Sequence, residues 1–264
     1  MRNKMTNDDL KNMFDLSGKV AVVTGGSGGA GKAISIGLAL YGADVVCTSR
    51  TMSTLEDTAA KVEKLGRKVM PVSCDVTDAD SVAAMMKQTI DTFGKVDILV
   101  TAAGIARRTE AENMSQEDFN AVMNANVNGT LMCCQAAAKE MISAGQGGNI
   151  VTVGSIRGLH GHPAGYVAYA TSKGAVHTMT KQMAIEWAKH QIRVNCIAPC
   201  IFWTPLTEPI LSDKKMYDIF MQRIPIGRPA EPEDLVGAVL FLSTPASAMV
   251  TGHVLYVDGG TSAW

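Results

Sequence analysis

The sequence predicts an α/β fold in a single domain: a doubly wound parallel sheet of seven strands with helices on both faces. Three observations predict it. Seven short runs rich in β-formers are continuously apolar rather than alternating, which marks strands buried on both sides. Helix-like stretches with start signals separate these runs, and strand, helix, strand repeated in this way lays parallel strands side by side with their crossovers on the faces. The 264 residues are 47% apolar with a formal charge of −1, and no linker, charge run, low-complexity stretch or solenoid-length repeat divides them.

The near-neutral balance leaves no footprint for nucleic acid or for a membrane surface. The opening "MRNKMTNDDLKNMF" is polar, unlike a signal peptide, and residues 1–15 read as an N-terminal extension. Nowhere do about 18 apolar residues run together as a bilayer span requires, so a cytoplasmic protein is expected. Cys47, Cys74, Cys133, Cys134, Cys196 and Cys200 fit no zinc spacing and are expected as reduced core residues.

The strands are expected, in order, in "KVAVVTG", "ADVVCTS", "KVMPVSCDV", "VDILVTAAG", "GNIVTVGS", "IRVNCIAP" and "HVLYVDGG". Ser53 with Glu56, Thr77 with Asp80 and Ser115 with Asp118 have capping-box spacing ahead of helices. A long helix is expected from "YATSK" to about Lys189. In open sheets of this kind ligands sit beyond the carboxyl ends of the strands, where strand order reverses.

The first of those strand ends carries "TGGSGGAGKAISIGLAL". Backbone N–H groups at the start of the following helix can hold a pyrophosphate, provided that no Cβ blocks its approach. Two registers fit. Gly26, Gly28 and Gly31 spell G-x-G-x-x-G, whereas Thr24, Gly25, Gly29 and Gly31 spell T-G-x-x-x-G-x-G. Position between a buried strand and a helix makes either a dinucleotide loop. The second run ends in Ser49 and Arg50, not in a carboxylate. Arginine accommodates a ribose 2′-phosphate, so NADP(H) is favoured over NAD(H). Asp75, ending the third run, can accept a hydrogen bond from an adenine amino group.

"AGYVAYATSKGA" holds two tyrosines and one lysine. Residues four apart share a helix face, which pairs Tyr169 with Lys173 and leaves Tyr166 as pocket wall or packing. A free phenol titrates near pH 10, and a neighbouring ammonium together with an oxidised nicotinamide favours the phenolate. Tyr169 is therefore the candidate acid/base, and its pKa is expected to be lowered. Ser155, ending the fifth run, can hold a substrate oxygen.

Taken together, these residues resemble the short-chain dehydrogenase/reductase family from about Leu16 to Gly260. The resemblance implies a Rossmann-type fold and maps T-G-x-x-x-G-x-G onto Thr24, Gly25, Gly29 and Gly31. It maps Y-x-x-x-K onto Tyr169 and Lys173, the catalytic serine onto Ser155 and the catalytic asparagine onto Asn126 in "NANVNGT". It implies that Tyr169 exchanges the proton, Ser155 holds the reacting oxygen, and Lys173 binds the ribose and lowers the tyrosine pKa. Asn126 would position a water that links Lys173 to solvent. Ser27, Ser49, Arg50, Asp75, Val76, Ala103, Gly104, Pro199 and Thr204 would complete the dinucleotide site. The implied reaction interconverts a secondary alcohol and a ketone, with a small-molecule partner and a homotetrameric assembly.

Three departures stand out. The family's N-N-A-G reads "TAAG", with Thr101 and Ala102 in place of the asparagines; Ser155 precedes Tyr169 by fourteen positions, one more than is commonest; and Pro199 is followed by Cys200. Residues 200–222 are expected to lid the site, with Phe202, Trp203 and Leu206 as an apolar wall or as packing within the lid. Arg107, Arg108 and Arg157 lie near strand ends, where arginines can grip a carboxylate or phosphate. Several local motifs, among them "GIARR" and "GHVLYVDGG", look like the gluconate 5-dehydrogenase branch, which suits a sugar acid. The 3-oxoacyl reductase branch is the rival. A dinucleotide-binding sensor without turnover is the reading from another class, but it has no need of a tuned phenol. His160 and His162 lack a third ligand, so no metal is expected. Trp264 is expected to pack across a subunit interface or to fray.

Overall fold

The computed structural model describes residues 6–204 and 207–263. Seven parallel strands form the sheet: β1 (Val20–Thr24), β2 (Asp44–Ser49), β3 (Val69–Ser73), β4 (Ile98–Thr101), β5 (Gly148–Val153), β6 (Ile192–Pro199) and β7 (Val254–Val257). Their order is β3-β2-β1-β4-β5-β6-β7. All seven lie within the predicted runs. The reversal of direction falls between β1 and β4, paired in register from Ala21 with Ile98 to Thr24 with Thr101.

Successive strand residues point to opposite faces, and here both faces are covered. Ala21, Val23, Val45, Cys47, Ile98 and Val100 join one core with Ile34, Leu38, Val62 and Val239. These four come from α2 (Gly29–Leu40), α3 (Glu56–Lys64) and α10 (Val236–Ser243). The intervening Val22, Val46 and Leu99 join the opposite core with Met85, Cys134, Met141 and Met183, from α4 (Ala79–Phe93), α6 (Gly129–Ala144) and α7 (Val167–Trp187). The edge strands depart from the expectation. β7 is only half-buried throughout and β3 is half-buried over its first three residues, because each has a neighbour on one side alone.

A short α1 (Asn7–Lys11) lies within the extension, and α5 (Gln116–Met123) leads into α6. The segment expected as a lid holds α8 (Glu208–Leu211) and α9 (Lys214–Met221). Leu206 and Trp264 lie outside the described residues. Among the described residues no helix is long and apolar enough to cross a membrane. All six cysteines are free and buried.

One of the three predicted caps holds as written: Ser115 Oγ accepts from the Asp118 N–H at 3.0 Å. Ser53 does not cap α3, because residues 52–55 already wind as a tight turn and α3 follows from Leu55 without a side-chain cap. Thr77 does not cap α4 either. Its N–H and hydroxyl both donate to Asp75 Oδ1, at 2.9 and 2.7 Å, and Asp78 takes over by accepting from the Asp80 N–H.

Candidate active site

Every strand end at the switch point opens into one cavity of about 710 Å³. Of the predicted dinucleotide residues, Gly25, Ser27, Gly29, Gly31, Ser49, Arg50, Asp75, Val76, Ala103, Gly104, Pro199 and Thr204 all line it, as do Ser155, Tyr169 and Lys173. Thr24 and Asn126 are 1% exposed and are not among its lining residues.

The structure chooses between the two glycine registers. Gly25 and Gly29 have φ of +70° and +48°, a region L side chains rarely enter. A Cβ on Gly31 would run into the Gly25 carbonyl, whereas one on Gly28 would meet nothing within 4 Å. T-G-x-x-x-G-x-G is the operative pattern, and it forms a backbone cradle with no room for side chains at the N-terminus of α2. This is the geometry a pyrophosphate needs. Thr24 serves the cradle from behind: its Oγ1 accepts from the Ala103 N–H at 3.2 Å, tying β1 to the end of β4. The "TAAG" departure is not repaired by Thr101, whose hydroxyl is buried without a hydrogen-bond partner.

Farther along the cavity, Ser49 Oγ bonds the Thr51 carbonyl and the Thr54 hydroxyl, each at 2.9 Å, which shapes the turn that presents Arg50. The Asp75 carboxyl is held below the usual carboxylate range by its two bonds from Thr77 and, more weakly, by Arg50. With Oδ1 occupied by Thr77, Oδ2 remains for a ligand. The residues here fit the adenosine end of a nicotinamide dinucleotide.

At the other end, β5 delivers Ser155, which starts a short turn over Ile156–Gly158 and accepts from the Arg157 N–H at 3.1 Å. The Ser155 side chain is near enough to the Tyr169 phenol to oppose the rise in its pKa. Lys173, one helical turn on, is 6% exposed, and its Nζ donates to the Val153 carbonyl at 2.7 Å. Nζ stands 5.6 Å from the Tyr169 ring centre. Burial pushes Lys173 down to about 8.

The tyrosine expectation needs correction. Burial raises the Tyr169 pKa; the opposing influences are the Ser155 hydroxyl and, more weakly, the charge of Arg157. In this arrangement the lysine ammonium is directed to a backbone carbonyl, so Tyr169 holds its proton at neutral pH and is set to donate it.

Asn126 sits in a widened turn over Asn124–Asn128, where α5 passes into α6 with π-type spacing. Its Oδ1 accepts from the Ile105 N–H at 2.8 Å, and its Nδ2 donates to the Ile105 carbonyl at 2.9 Å and to Ser172 Oγ at 3.0 Å. The side chain thus fastens the β4 loop to α7. A Cβ on Gly104 would lie 3.0 Å from Asn126 Oδ1 and 3.8 Å from Lys173 Nζ, so Asn126 and Lys173 flank Gly104.

The arginines separate. Arg107 turns outward to Asp118 at 3.4 Å and does not line the cavity. Arg108 and Arg157 do, the former 5.9 Å above the Tyr166 ring. Tyr166 lines the cavity too, 6.0 Å from Tyr169 between ring centres. Phe202 lines the cavity, but Trp203 is not among its lining residues and is held by its backbone N–H on the Ala230 carbonyl. Phe220 of α9 and Thr207 line it unpredicted. The apolar pattern of "KKMYDIFM" was the available signal for Phe220.

A glycine cradle at the switch point, with a serine, tyrosine and lysine at the far end of one cavity, defines an oxidoreductase that uses a nicotinamide dinucleotide on a CH–OH or C=O centre. A family model described as enoyl-(acyl carrier protein) reductase matches residues 25–262. Gluconate 5-dehydrogenase of Gluconobacter oxydans (strain 621H) is 40% identical over 256 residues, spanning 97% of this chain and 98% of that protein. The 3-oxoacyl-(acyl-carrier-protein) reductase FabG of Thermotoga maritima is 38% identical over 245 residues, spanning 93% and 98%. A solved gluconate 5-dehydrogenase from Burkholderia cenocepacia J2315, in complex with NADP and tartrate, superposes with a TM-score of 0.91 at 33% identity, covering 96% of this chain and 98% of that one. The chain belongs to the short-chain dehydrogenase/reductase family.

Proposed function

We propose that the protein is an NADP(H)-dependent oxidoreductase that interconverts a ketone and a secondary alcohol on an anionic polyol or sugar acid, as a cytoplasmic homotetramer. The observation that carries this reading is the meeting of Ser155, Tyr169 and Lys173 with Arg108 and Arg157 in one cavity. Arg50 at the other end supports NADP(H), as does the NADP held by the Burkholderia relative.

The residues divide the work as follows. Ser155 Oγ and the Tyr169 phenol converge on the position of the substrate oxygen and stabilise charge that develops there. Tyr169, protonated at neutral pH, gives its proton to that oxygen during reduction and takes it back during oxidation. Lys173 has two further N–H bonds to offer beyond the one to Val153, which suits ribose hydroxyls and proton replacement. Asn126 is a positioning residue that sets the β4 loop against α7. When bound, the nicotinamide supplies or accepts the hydride at the carbon bearing the oxygen. The glycine cradle and Asp75 orient the dinucleotide so that this carbon and the ring meet.

The rival substrate is a 3-oxoacyl thioester, favoured by the apolar wall of Phe202, Phe220 and Tyr166. Steady-state oxidation of NADPH and of NADH with 5-ketogluconate and with an acetoacetyl thioester separates the readings. Preference for NADPH and the keto acid supports the proposal. Turnover of the thioester alone overturns the sugar-acid assignment, and preference for NADH overturns the role of Arg50.

A further inference from the structure

A second hollow of about 470 Å³ adjoins the catalytic cavity, and Ile156 and Arg157 line both. Its other walls include His160 from the loop after Ser155, Gln222 and Arg223 just beyond α9, and Thr261 near the C-terminus. Sequence reading did not single out Gln222 or Arg223, and no step of the proposed reaction uses them.

Two arginines from separate segments, Arg157 and Arg223, line this hollow, and Arg108 lines the neighbouring catalytic cavity. The His162 ring stacks on Phe220, with centres 5.2 Å apart, and Arg157, Arg223 and Arg108 all act on that one imidazole, helping burial to push it down to about 4. Arg157 is anchored by its Nη1 on the Gly161 carbonyl at 3.1 Å. Among the described residues, the arginines with carboxylate partners are Arg67, Arg107 and Arg228, and Arg108, Arg157 and Arg223 are not among them. His160 adds a buried Nε2 without a hydrogen-bond partner. Two like charges at one hollow without a carboxylate partner repel each other, the Arg223 charge lowering the Arg157 pKa, and an anion with several oxygens relieves that repulsion while accepting the free N–H bonds. A single carboxylate held by Arg108 in the catalytic cavity would leave Arg157 and Arg223 uncompensated.

We infer that this second hollow is an oxyanion subsite, formed by Arg157, Arg223 and His160, for the end of the substrate remote from Arg108. The natural substrate then carries two anionic groups, a carboxylate or phosphate at each end of a short polar chain with the reacting carbonyl between them. This rests on the carbonyl-reductase reading above and names the substrate class for it. The segment after α9 contributes directly, because Gln222 and Arg223 line the hollow.

The test compares kcat/KM for four ketones of one chain length: an uncharged keto-polyol, 5-ketogluconate, and two doubly charged analogues, one ending in carboxylate and one in phosphate. The doubly charged ketone should be preferred over 5-ketogluconate by about tenfold or more, as a charge-assisted bond implies. Arg223→Gln should remove most of that preference through KM, and Arg223→Lys should restore part of it. The two doubly charged analogues identify the oxyanion. An unchanged ratio between doubly and singly charged ketones in Arg223→Gln overturns the subsite. If no ketone is reduced, the carbonyl-reductase reading fails, and the subsite is read separately from thermal stabilisation by inorganic phosphate and by tartrate in an Arg50→Gln background. Stabilisation lost on adding Arg223→Gln supports the subsite; equal stabilisation overturns it.

Discussion

Lys173 is a charged group almost wholly withdrawn from water. At 6% exposure its pKa falls from an ordinary 10.5 to about 8. At about 1.4 kcal/mol per pK unit, holding the ammonium in the folded protein costs about 3 kcal/mol at neutral pH. Methionine has nearly the same length, similar helix propensity and no charge. Lys173→Met removes the penalty but also the bond to the Val153 carbonyl, whose loss costs about 1 kcal/mol. The net expectation is a gain of about 2 kcal/mol, or about 4–6 °C in Tm for a chain of this size. The sign with pH follows from the lowered pKa. The penalty is complete below about pH 8, shrinks as pH rises and is gone above about 10.5, where the unfolded lysine is neutral as well. Thermal unfolding of the two proteins at equal concentration, from pH 7 to pH 10, should therefore show the variant ahead at pH 7 and the curves converging as pH rises. A variant less stable than the parent at pH 7, or a difference indifferent to pH, would refute the burial argument. Activity should be lost throughout, since the ribose and Tyr169 lose the ammonium.

Tyr169→Phe should lower kcat by about 10²–10⁴, the usual contribution of a positioned acid, in steady-state assays. Tyr166→Phe, which removes only a hydroxyl from the cavity wall, should fall by about threefold or less, a far smaller loss than acid catalysis commands. Arg50→Asp should shift the ratio of kcat/KM for NADPH over NADH towards NADH by about 10- to 100-fold, the worth of charge-assisted bonds to a phosphate. Gly31→Ala forces a Cβ onto the Gly25 carbonyl, so fluorescence titration should show NADPH binding weakened by about tenfold or more, with about 1–3 kcal/mol of lost stability. Unchanged binding there would mean that the cradle is not where the pyrophosphate sits.

The fold was legible because both faces of the sheet are buried. Val22 and Val23 face different cores, so the run they belong to is continuously apolar, and six more runs announce their strands alike. Edge burial was not legible, since "HVLYVDGG" reads the same whether β7 has one neighbour or two. The candidate serine, tyrosine and lysine could be read from spacing, because Tyr169 and Lys173 share a helix and Ser155 follows a strand at the same crevice.

What escaped depended on partners remote in sequence. The glycine register turns on contacts that no pattern records, such as Gly31 against the Gly25 carbonyl. Arg107 and Arg108 are adjacent, and only the position of Asp118 on α5 turns one outward. Thr77 was misread as a cap because Asp75, two residues earlier, competes for its hydroxyl. The direction of the Tyr169 shift was misjudged because burial, invisible in a local motif, outweighs the Ser155 hydroxyl and the charge of Arg157. Arg223 and Arg157 are 66 positions apart in the chain, and their meeting at one hollow follows only from where the lid comes to rest.

The most direct test of the account follows the hydride itself. NADPH carrying deuterium at nicotinamide C4 is incubated with the enzyme and each candidate ketone, and the alcohol product is weighed by mass spectrometry. The account predicts an anionic polyol product one mass unit heavier at the carbon that bore the oxygen, formed by the parent and greatly diminished in Tyr169→Phe. A protein that binds NADPH tightly yet transfers no deuterium to any anionic keto-polyol, or one that transfers it equally well without the Tyr169 hydroxyl, would contradict the account at its centre.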